Sequence, residues 1–536
     1  MSEPSKKSPA LLIGLVVVAL IAVGGYFFVS SKQKEEAQRL EALIKEHGLT
    51  TESVKVGFFD KSAVITGLKG TGSYLFGSTI AFDVESVSVS GINMDALATN
   101  NVVSIADSAT FTNLKMIVDQ PPIPGSMSPA MKQETTVKSF TINNFRGNLV
   151  AAANELATLD MSKLVVEPEE IPKNREALIR LLGAIRDYRA GSIAVTGYVN
   201  RVDLGMPTPL VSSIDSYEAR DVGILVCGKA TMKNLKINVL NQDMLAIGAM
   251  ELGQMSFPDI FTPLFASMPL RGDTQDPLPL VLATLEKNPL LMRGFVMKDV
   301  SVRAMMPESI TLKSFTLDTE LDAGKLVVKN TIEDLVVPPS YYRQSGGAAA
   351  MFAQAYGKPM NFSGSIDILG TQKDGKGEFL VKDSNLVEKE LGSMAVNFAT
   401  IFGAPEADTL QKLLESSNPE WLLKSGKIVL EDKKAIETAL AAQFKLMQSM
   451  GSDEQAIKSV DELRAMSAGE IRQEAEGESN PDKKAILEGL SKLLERAGTL
   501  TITMNPETPQ PLNFMDGIDD GDPGAYKITT EYAPGQ

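Results

Sequence analysis

Ile80-Ala-Phe-Asp-Val-Glu-Ser-Val-Ser-Val-Ser-Gly91 alternates apolar with polar side chains. That period of two is the pattern of a β-strand with one face buried. Upstream, Ala63-Val-Ile-Thr-Gly-Leu68 reads in the same way. Downstream, similar stretches recur at 108–118, 135–145, 192–204, 230–239, 295–304, 310–321, 325–335 and 362–369. Thr, Ser, Val, Ile and Phe dominate them, as a pleated surface prefers. Gly, Asn and Asp punctuate the gaps between them. These strands predict a long, twisted, mostly antiparallel β region over residues 51–383.

Several strands echo one another. Val137-Lys-Ser-Phe-Thr-Ile-Asn143 matches Leu312-Lys-Ser-Phe-Thr-Leu-Asp318. Thr110-Phe-Thr-Asn-Leu-Lys-Met116, Thr231-Met-Lys-Asn-Leu-Lys-Ile237 and Val296-Met-Lys-Asp-Val-Ser-Val302 form a second set. A larger unit of strand, helix and returning strand recurs over 164–204, 250–304 and 332–369. Its helices are expected at 174–189, at 259–266 with 278–286, and at 341–356. Such spacing points to an internal repeat. A sheet with one apolar face must be covered by helices or left open as a groove, and an open face needs an occupant.

From residue 385 the apolar spacing turns helical, predicting helices at 386–402, 407–416, 433–449, 453–466 and 482–497. A strand at 426–430 interrupts them. Ser479-Asn-Pro-Asp482 is a helix start, with proline in the first turn. Trp421, the single tryptophan, is expected to anchor a helix in the core. A strand at 500–504, a connector at 506–511, an acidic loop at 516–524 and a last strand at 525–532 complete the chain.

At the other end, Ala10-Leu-Leu-Ile-Gly-Leu-Val-Val-Val-Ala-Leu-Ile-Ala-Val-Gly-Gly-Tyr-Phe-Phe-Val29 carries no charge. About 20 residues at ~1.5 Å rise span the ~30 Å hydrocarbon layer of a bilayer. The run exceeds a signal-peptide core of roughly 7–15 residues, and no small-x-small cleavage site follows. It has no polar face, unlike a core helix, and its glycines make no G-x-x-x-G dimer face. It predicts a single-pass anchor with the lipid bilayer as its partner. Lys6 and Lys7 precede it, and Lys32, Lys34, Arg39 and Lys45 follow it among glutamates. Because long domains translocate largely regardless of such flanking charge, the short N-terminus is expected inside and the bulk of the chain outside. The helix that follows, with Ala37, Leu40, Leu43 and Ile44 on one stripe and Gly48 as its cap, is expected to pack on its own domain.

The expected fold class is α+β. Its segments are an anchor at 1–31, a juxtamembrane helix at 32–50, repeated β structure at 51–383, a mainly helical segment at 384–498, and strands with an acidic loop at 499–536.

Composition narrows the chemistry. The chain has 536 residues and a formal net charge of −15. That charge argues against nucleic acid as a partner and against adsorption to anionic lipid. Cys227 is the only cysteine, in an apolar run, and reads as a small core hydrophobe. His47 is the only histidine. Histidine triads and multi-histidine zinc sites therefore have no support, and His47 reads as a helix-end side chain facing the dipole. Gly370-Thr-Gln-Lys-Asp-Gly-Lys-Gly377 lacks the Ser or Thr of a phosphate loop, and Glu378-Phe-Leu-Val-Lys382 after it reads as a strand. Lys373-Asp-Gly-Lys376 is instead a hairpin turn. Asp516-Gly-Ile-Asp-Asp-Gly-Asp522 misses EF-hand spacing and reads as a solvated turn. No carboxylate pair is singled out by spacing, and only two buried, facing acids in a cleft would favour hydrolysis. No catalytic, cofactor or metal residue is assigned.

The anchor, the strands Val137-Lys-Ser-Phe-Thr-Ile and Ile310-Thr-Leu-Lys-Ser-Phe-Thr-Leu, and the Ser/Thr-rich β region resemble bacterial AsmA-like or YdgA-like inner-membrane-anchored envelope proteins. The resemblance covers residues 8–380. It implies a long β groove that shelters lipid tails in the periplasm, and it carries over no functional residue. The expected function is a non-enzymatic carrier of an apolar ligand, lipid by class. The alternative is an envelope scaffold with a packed interior that docks partner proteins.

Overall fold

A computed structural model describes residues 37–38, 41–42, 44–45, 48–57, 61–73, 78–93, 96, 99–122, 130–158, 174–205, 207–257, 290–304, 306–321, 325–344, 347–373, 376–403, 420–449, 457–511 and 523–535. The expected anchor, His47, the helices at 259–266, 278–286 and 407–416, and the acidic loop's Asp516–Asp522 lie outside these residues. Among the described residues no helix is long and apolar enough to cross a membrane. Contacts divide the chain into two compact units, Met1–Thr284 and Leu285–Gln536. Both are built on mostly antiparallel sheet with interspersed helices, and the second carries a helical C-terminal part.

Unit one contains β1 (Leu49–Thr50), β2 (Ser53–Gly57), β3 (Ser62–Ser73), β4 (Thr79–Ser90), β5 (Val103–Gln120) and β6 (Met131–Gly147). After the helices α1 (Leu149–Thr158) and α2 (Arg175–Arg186) come β7 (Arg189–Asp203), β8 (Leu210–Gly223), β9 (Val226–Cys227), β10 (Ala230–Val239), β11 (Gln242–Leu252) and β12 (Gln254–Ser256). The long strands form an antiparallel meander in the order β2-β3-β4-β5-β6-β7-β8-β10-β11.

The reason for the alternation lies across the strands rather than along them. Val54, Ile65, Val87, Phe111, Phe140, Val195, Tyr217, Met232 and Met250 are direct cross-strand partners, one per strand. One residue further along β3 begins a ladder of Thr66, Ser86, Thr112, Ser139, Thr196, Ser216 and Lys233. Directly paired residues share a face. One face is therefore apolar from edge to edge and the other is lined with hydroxyls.

The echoed motifs have a conformational cause. The fourth residue of each member of the second set, Asn113, Asn234 and Asp299, has φ of +47°, +53° and +53°. Gly67 and Gly197, each just after the same hydroxyl ladder on β3 and β7, are also left-handed. A left-handed residue reverses the side-chain sense of the strand. Phe111 before Asn113 and Leu114 after it thus meet the same core, although they are three apart. Asn and Asp tolerate this conformation better than other non-glycine residues. The side-chain amide of Asn113 donates to the Glu85 carboxylate, and that of Asn234 to Asp215 at 2.7 Å. Asn113→Val should lower stability by about 2 kcal/mol, combining the left-handed penalty with the lost hydrogen bond. Asn113→Gly should cost less than about 1 kcal/mol because glycine keeps the conformation. Urea denaturation of the two variants checks the order.

Unit two contains β13 (Leu290–Val302), β14 (Ile310–Leu321), β15 (Lys325–Val337), α3 (Pro339–Gln344), α4 (Gly347–Tyr356), β16 (Met360–Lys373), β17 (Lys376–Glu388), β18 (Gly392–Gly403) and β19 (Glu420–Asp432). Then come α5 (Ala435–Ser449), α6 (Val460–Gly477), α7 (Pro481–Glu495), β20 (Gly498–Met504), β21 (Gln510–Pro511) and β22 (Ile528–Pro534). Its meander runs β13-β14-β15-β16-β17-β18-β19-β20-β22. The two sets of echoes form one hairpin twice, in one register. Leu114 pairs with Val137 and Thr112 with Ser139, as Val300 pairs with Leu312 and Lys298 with Ser314.

Four expectations need correction. Residues 386–402 are not a helix but the end of β17 and most of β18. Their apolar residues satisfy both periods, and the strand form prevails because a tight turn forms at 389–391. There the Glu388 carboxylate takes the N–H groups of Glu390 and Leu391, and Gly392 adopts φ +144°. The sheet accordingly runs past residue 383. The helix expected at 453–466 runs from Val460 to Gly477 instead. Ser459 caps it by accepting the Glu462 N–H, and the Glu462 carboxylate takes the Lys458 N–H at 2.7 Å. The helix expected at 341–356 is two, α3 and α4. Trp421 lies on β19 and meets Phe379 of β17 edge-on at 5.7 Å, so it ties together two strands that flank β18 rather than anchoring a helix.

Candidate functional site

Among the described residues, the apolar face of each sheet is fully buried at one end and, along much of the rest, only partly buried. In unit one, Ile65, Val87 and Phe111 are buried together with Ile44, Leu49 and Ile92. Ile44, one residue of the stripe expected after the anchor, packs in this core, while Leu40 and Leu43 lie outside the described residues. Further along the same ladder, Phe140, Val195, Tyr217, Met232 and Met250 are only half-buried.

Unit two repeats the design. Met297, Phe315, Ile332, Gly364, Leu386, Met394, Leu430, Leu500 and Tyr532 are consecutive cross-strand partners. The neighbouring row on the opposite face is Val296, Thr316, Thr331, Ser365, Asn385, Ala395, Val429, Thr501 and Glu531, mostly polar. Leu500 is 0% exposed in a core with Leu493 of α7, Met504 and Ile528. Two strands away Met394 is 44% exposed, and Leu386 beside it is 47% exposed. Ile332, Phe315 and Met297 beyond are half-buried. At ~4.8 Å between strands, Met297 to Met394 spans roughly 24 Å. A parallel row on the same face, Val328, Ile368, Val381 and Phe398, widens the strip.

Polar groups mark its rim. Glu388, directly paired with Gly392, is buried. Its Oε1 accepts the Asn361 N–H at 3.0 Å and the Tyr356 hydroxyl at 3.3 Å, and its Oε2 accepts Glu390 and Leu391 N–H at 2.8 and 2.6 Å. Asp432, on the other side of Gly392, is also buried and takes the Ile436 N–H at 3.1 Å. Four donors fill the Glu388 oxygens, so its evident role is to hold the 389–391 turn.

The Tyr356 phenol, by burial and then by the Glu388 and Glu390 charges, is pushed up to about 12. Tyr342, by burial and then by Glu388, is likewise pushed up to about 12. An acid whose folded value is raised contributes stability below its unfolded value of 10.0 and loses it as pH rises toward the folded one. The wild type should therefore lose more stability than a Tyr342→Phe/Tyr356→Phe variant between about pH 10 and 12. Urea midpoints of the two proteins across that window check it.

The other sequence candidates are structural where they are described. Residues 370–373 end β16, Lys373 pairs with Lys376, and Glu378–Lys382 is strand as expected. Cys227 packs with Ala219 and Ala230, and burial raises its thiol. Among the described residues no group of His, Cys, Asp and Glu could hold a metal ion. Comparison with protein-family models, curated proteins and solved structures finds no match.

Proposed function

We propose that this chain is a carrier that shelters an apolar ligand of the lipid class on the uncovered face of its sheet. The reading includes a tether through residues 10–29 to a bacterial inner membrane, with the bulk of the chain on the periplasmic side. The uncovered ladder from Met297 to Met394 carries it. Fully burying a Leu, Ile, Met or Phe is worth about 1.5–3 kcal/mol, so each half-covered one offers roughly 1 kcal/mol to an occupant. Association itself costs an estimated 4–15 kcal/mol. An occupant must therefore touch many of these side chains at once, which favours long hydrocarbon chains over a small metabolite. The resemblance of the strands to AsmA-like envelope proteins points the same way. A scaffold with a packed interior would bury this row instead of exposing Leu386 and Met394.

Native mass spectrometry of the full chain, extracted in mild detergent, tests the proposal. Lipid adducts are expected, and delipidated protein should reload from liposomes. Protein that carries no lipid and accepts none overturns it.

A further inference from the structure

The apolar face of unit one carries a polar island. Phe82, Met116, Thr135, Asn200, Ser212, Ile237 and Leu245 are consecutive cross-strand partners from β4 to β11. The neighbouring row is Ile80, Val118, Gln133, Val202 and Leu210. Phe82 lies in the core with Val87 and Phe111. Direct partners, and residues two apart on a strand, share a face, so both rows belong to the apolar one. Thr135 is buried, and Gln133, Asn200 and Ser212 are half-buried.

Three of these polar side chains are locked together. The Thr135 hydroxyl and the Gln133 side-chain amide both donate to Asn200 Oδ1, each at 3.0 Å. Two donors occupy the two lone pairs of that oxygen, and they fix which way the Asn200 amide is turned. Its Nδ2 is left with two N–H groups that meet no acceptor among the described residues. Ser212, the direct partner of Asn200, also makes no hydrogen bond among the described residues. Unit two has a counterpart. Leu317, Asn330 and Ile366 are direct partners on its apolar face, between Ile332 and Val328 along β15. The Asn330 amide likewise meets no partner among the described residues, and Ile366 beside it is 46% exposed.

Such donors penalise an occupant made of hydrocarbon alone. A plain chain laid over them strips their water and returns no hydrogen bond. An occupant with a carbonyl oxygen at that position restores it. No residue of these three rows is charged, so a neutral carbonyl suits them better than a carboxylate, whose desolvation would go uncompensated.

We infer that the lipid carried on this face is an acyl lipid, its chains joined through ester or amide carbonyls, and that Asn200 sets its register by donating to one of them. The inference rests on the carrier reading and adds a positioning residue to it.

The test places a benzophenone amino acid at Val202, on the same face two residues from Asn200, in the full chain in maltoside detergent. The protein is offered an equimolar mixture of a diacyl phosphatidylcholine and its dialkyl ether analogue with chains of equal length. After irradiation, the two adducts at position 202 are quantified by peptide mass spectrometry. Diacyl adducts should exceed dialkyl adducts about fivefold, the selectivity of one net hydrogen bond. In the Asn200→Asp variant the retained oxygen still accepts from Gln133 and Thr135, but an acceptor replaces the donor, so the ratio should fall to about one. Because the ratio is read within one sample, a change in total loading does not move it. Equal labelling by the two lipids with Asn200 intact, a preference that survives Asn200→Asp, or no lipid adduct at position 202 overturns the inference. In each of those cases the carrier reading stands if native mass spectra still show lipid on the protein, and falls if they show none.

Discussion

Changing Leu386 and Met394 together to glutamate is expected to cut the lipid recovered with the protein at least tenfold. Both side chains are nearly half exposed, so the fold does not depend on their burial, and urea stability should change by less than about 1 kcal/mol. They are direct partners on adjacent strands of the uncovered ladder. Two carboxylates there would have to be desolvated against hydrocarbon, which costs several kcal/mol unless they neutralise. A tenfold loss needs only about 1.4 kcal/mol. Asn385→Glu, one residue away on the opposite face, serves as the control and should leave lipid recovery intact. Unchanged recovery in the double variant would show that the ligand does not lie on this row.

The second large effect concerns stability. Asp482→Ala is expected to destabilise unit two by about 3 kcal/mol. The Asp482 carboxylate is buried and takes the backbone N–H of Tyr526 at 2.9 Å and of Ile528 at 2.8 Å. It also sits in the first turn of α7, where negative charge is favoured. Removing it strands two donors, each costing about 1–3 kcal/mol if buried and unpaired. Because those donors open β22, the strand that pairs with β20 over the core, hydrogen exchange should rise first at residues 526–534. A uniform rise across α5, α6 and β13 as well would mean that the carboxylate does more than pin one strand.

The strands were legible because their period of two is local. Ile310–Leu321 is found as read, and the half-buried run ending at Gly91 is β4. The helix start at Asn480-Pro-Asp was legible for the same reason, since capping chemistry is confined to a few residues. Residues 386–402 were misread because their apolar spacing fits both periods, and the deciding group, the Glu388 carboxylate closing the turn, acts through hydrogen bonds that no periodicity encodes. That misreading hid the candidate site, because Leu386 and Met394 lie inside it. The ladders themselves depend on register between strands up to tens of residues apart, which a single strand does not specify. The echoes were visible, but not that their shared Asn or Asp is left-handed and lets Phe111 and Leu114 face one way.

The most direct test places a benzophenone amino acid at Leu386 in one variant and at Asn385 in another, each in the full chain in native membranes, followed by irradiation and mass spectrometry of the adducts. The two positions are adjacent in sequence and lie on opposite faces of β17. Lipid adducts at 386 and few or none at 385 are the predicted result. Equal lipid labelling at both positions, or only protein adducts at 386, would contradict a lipid-bearing apolar face.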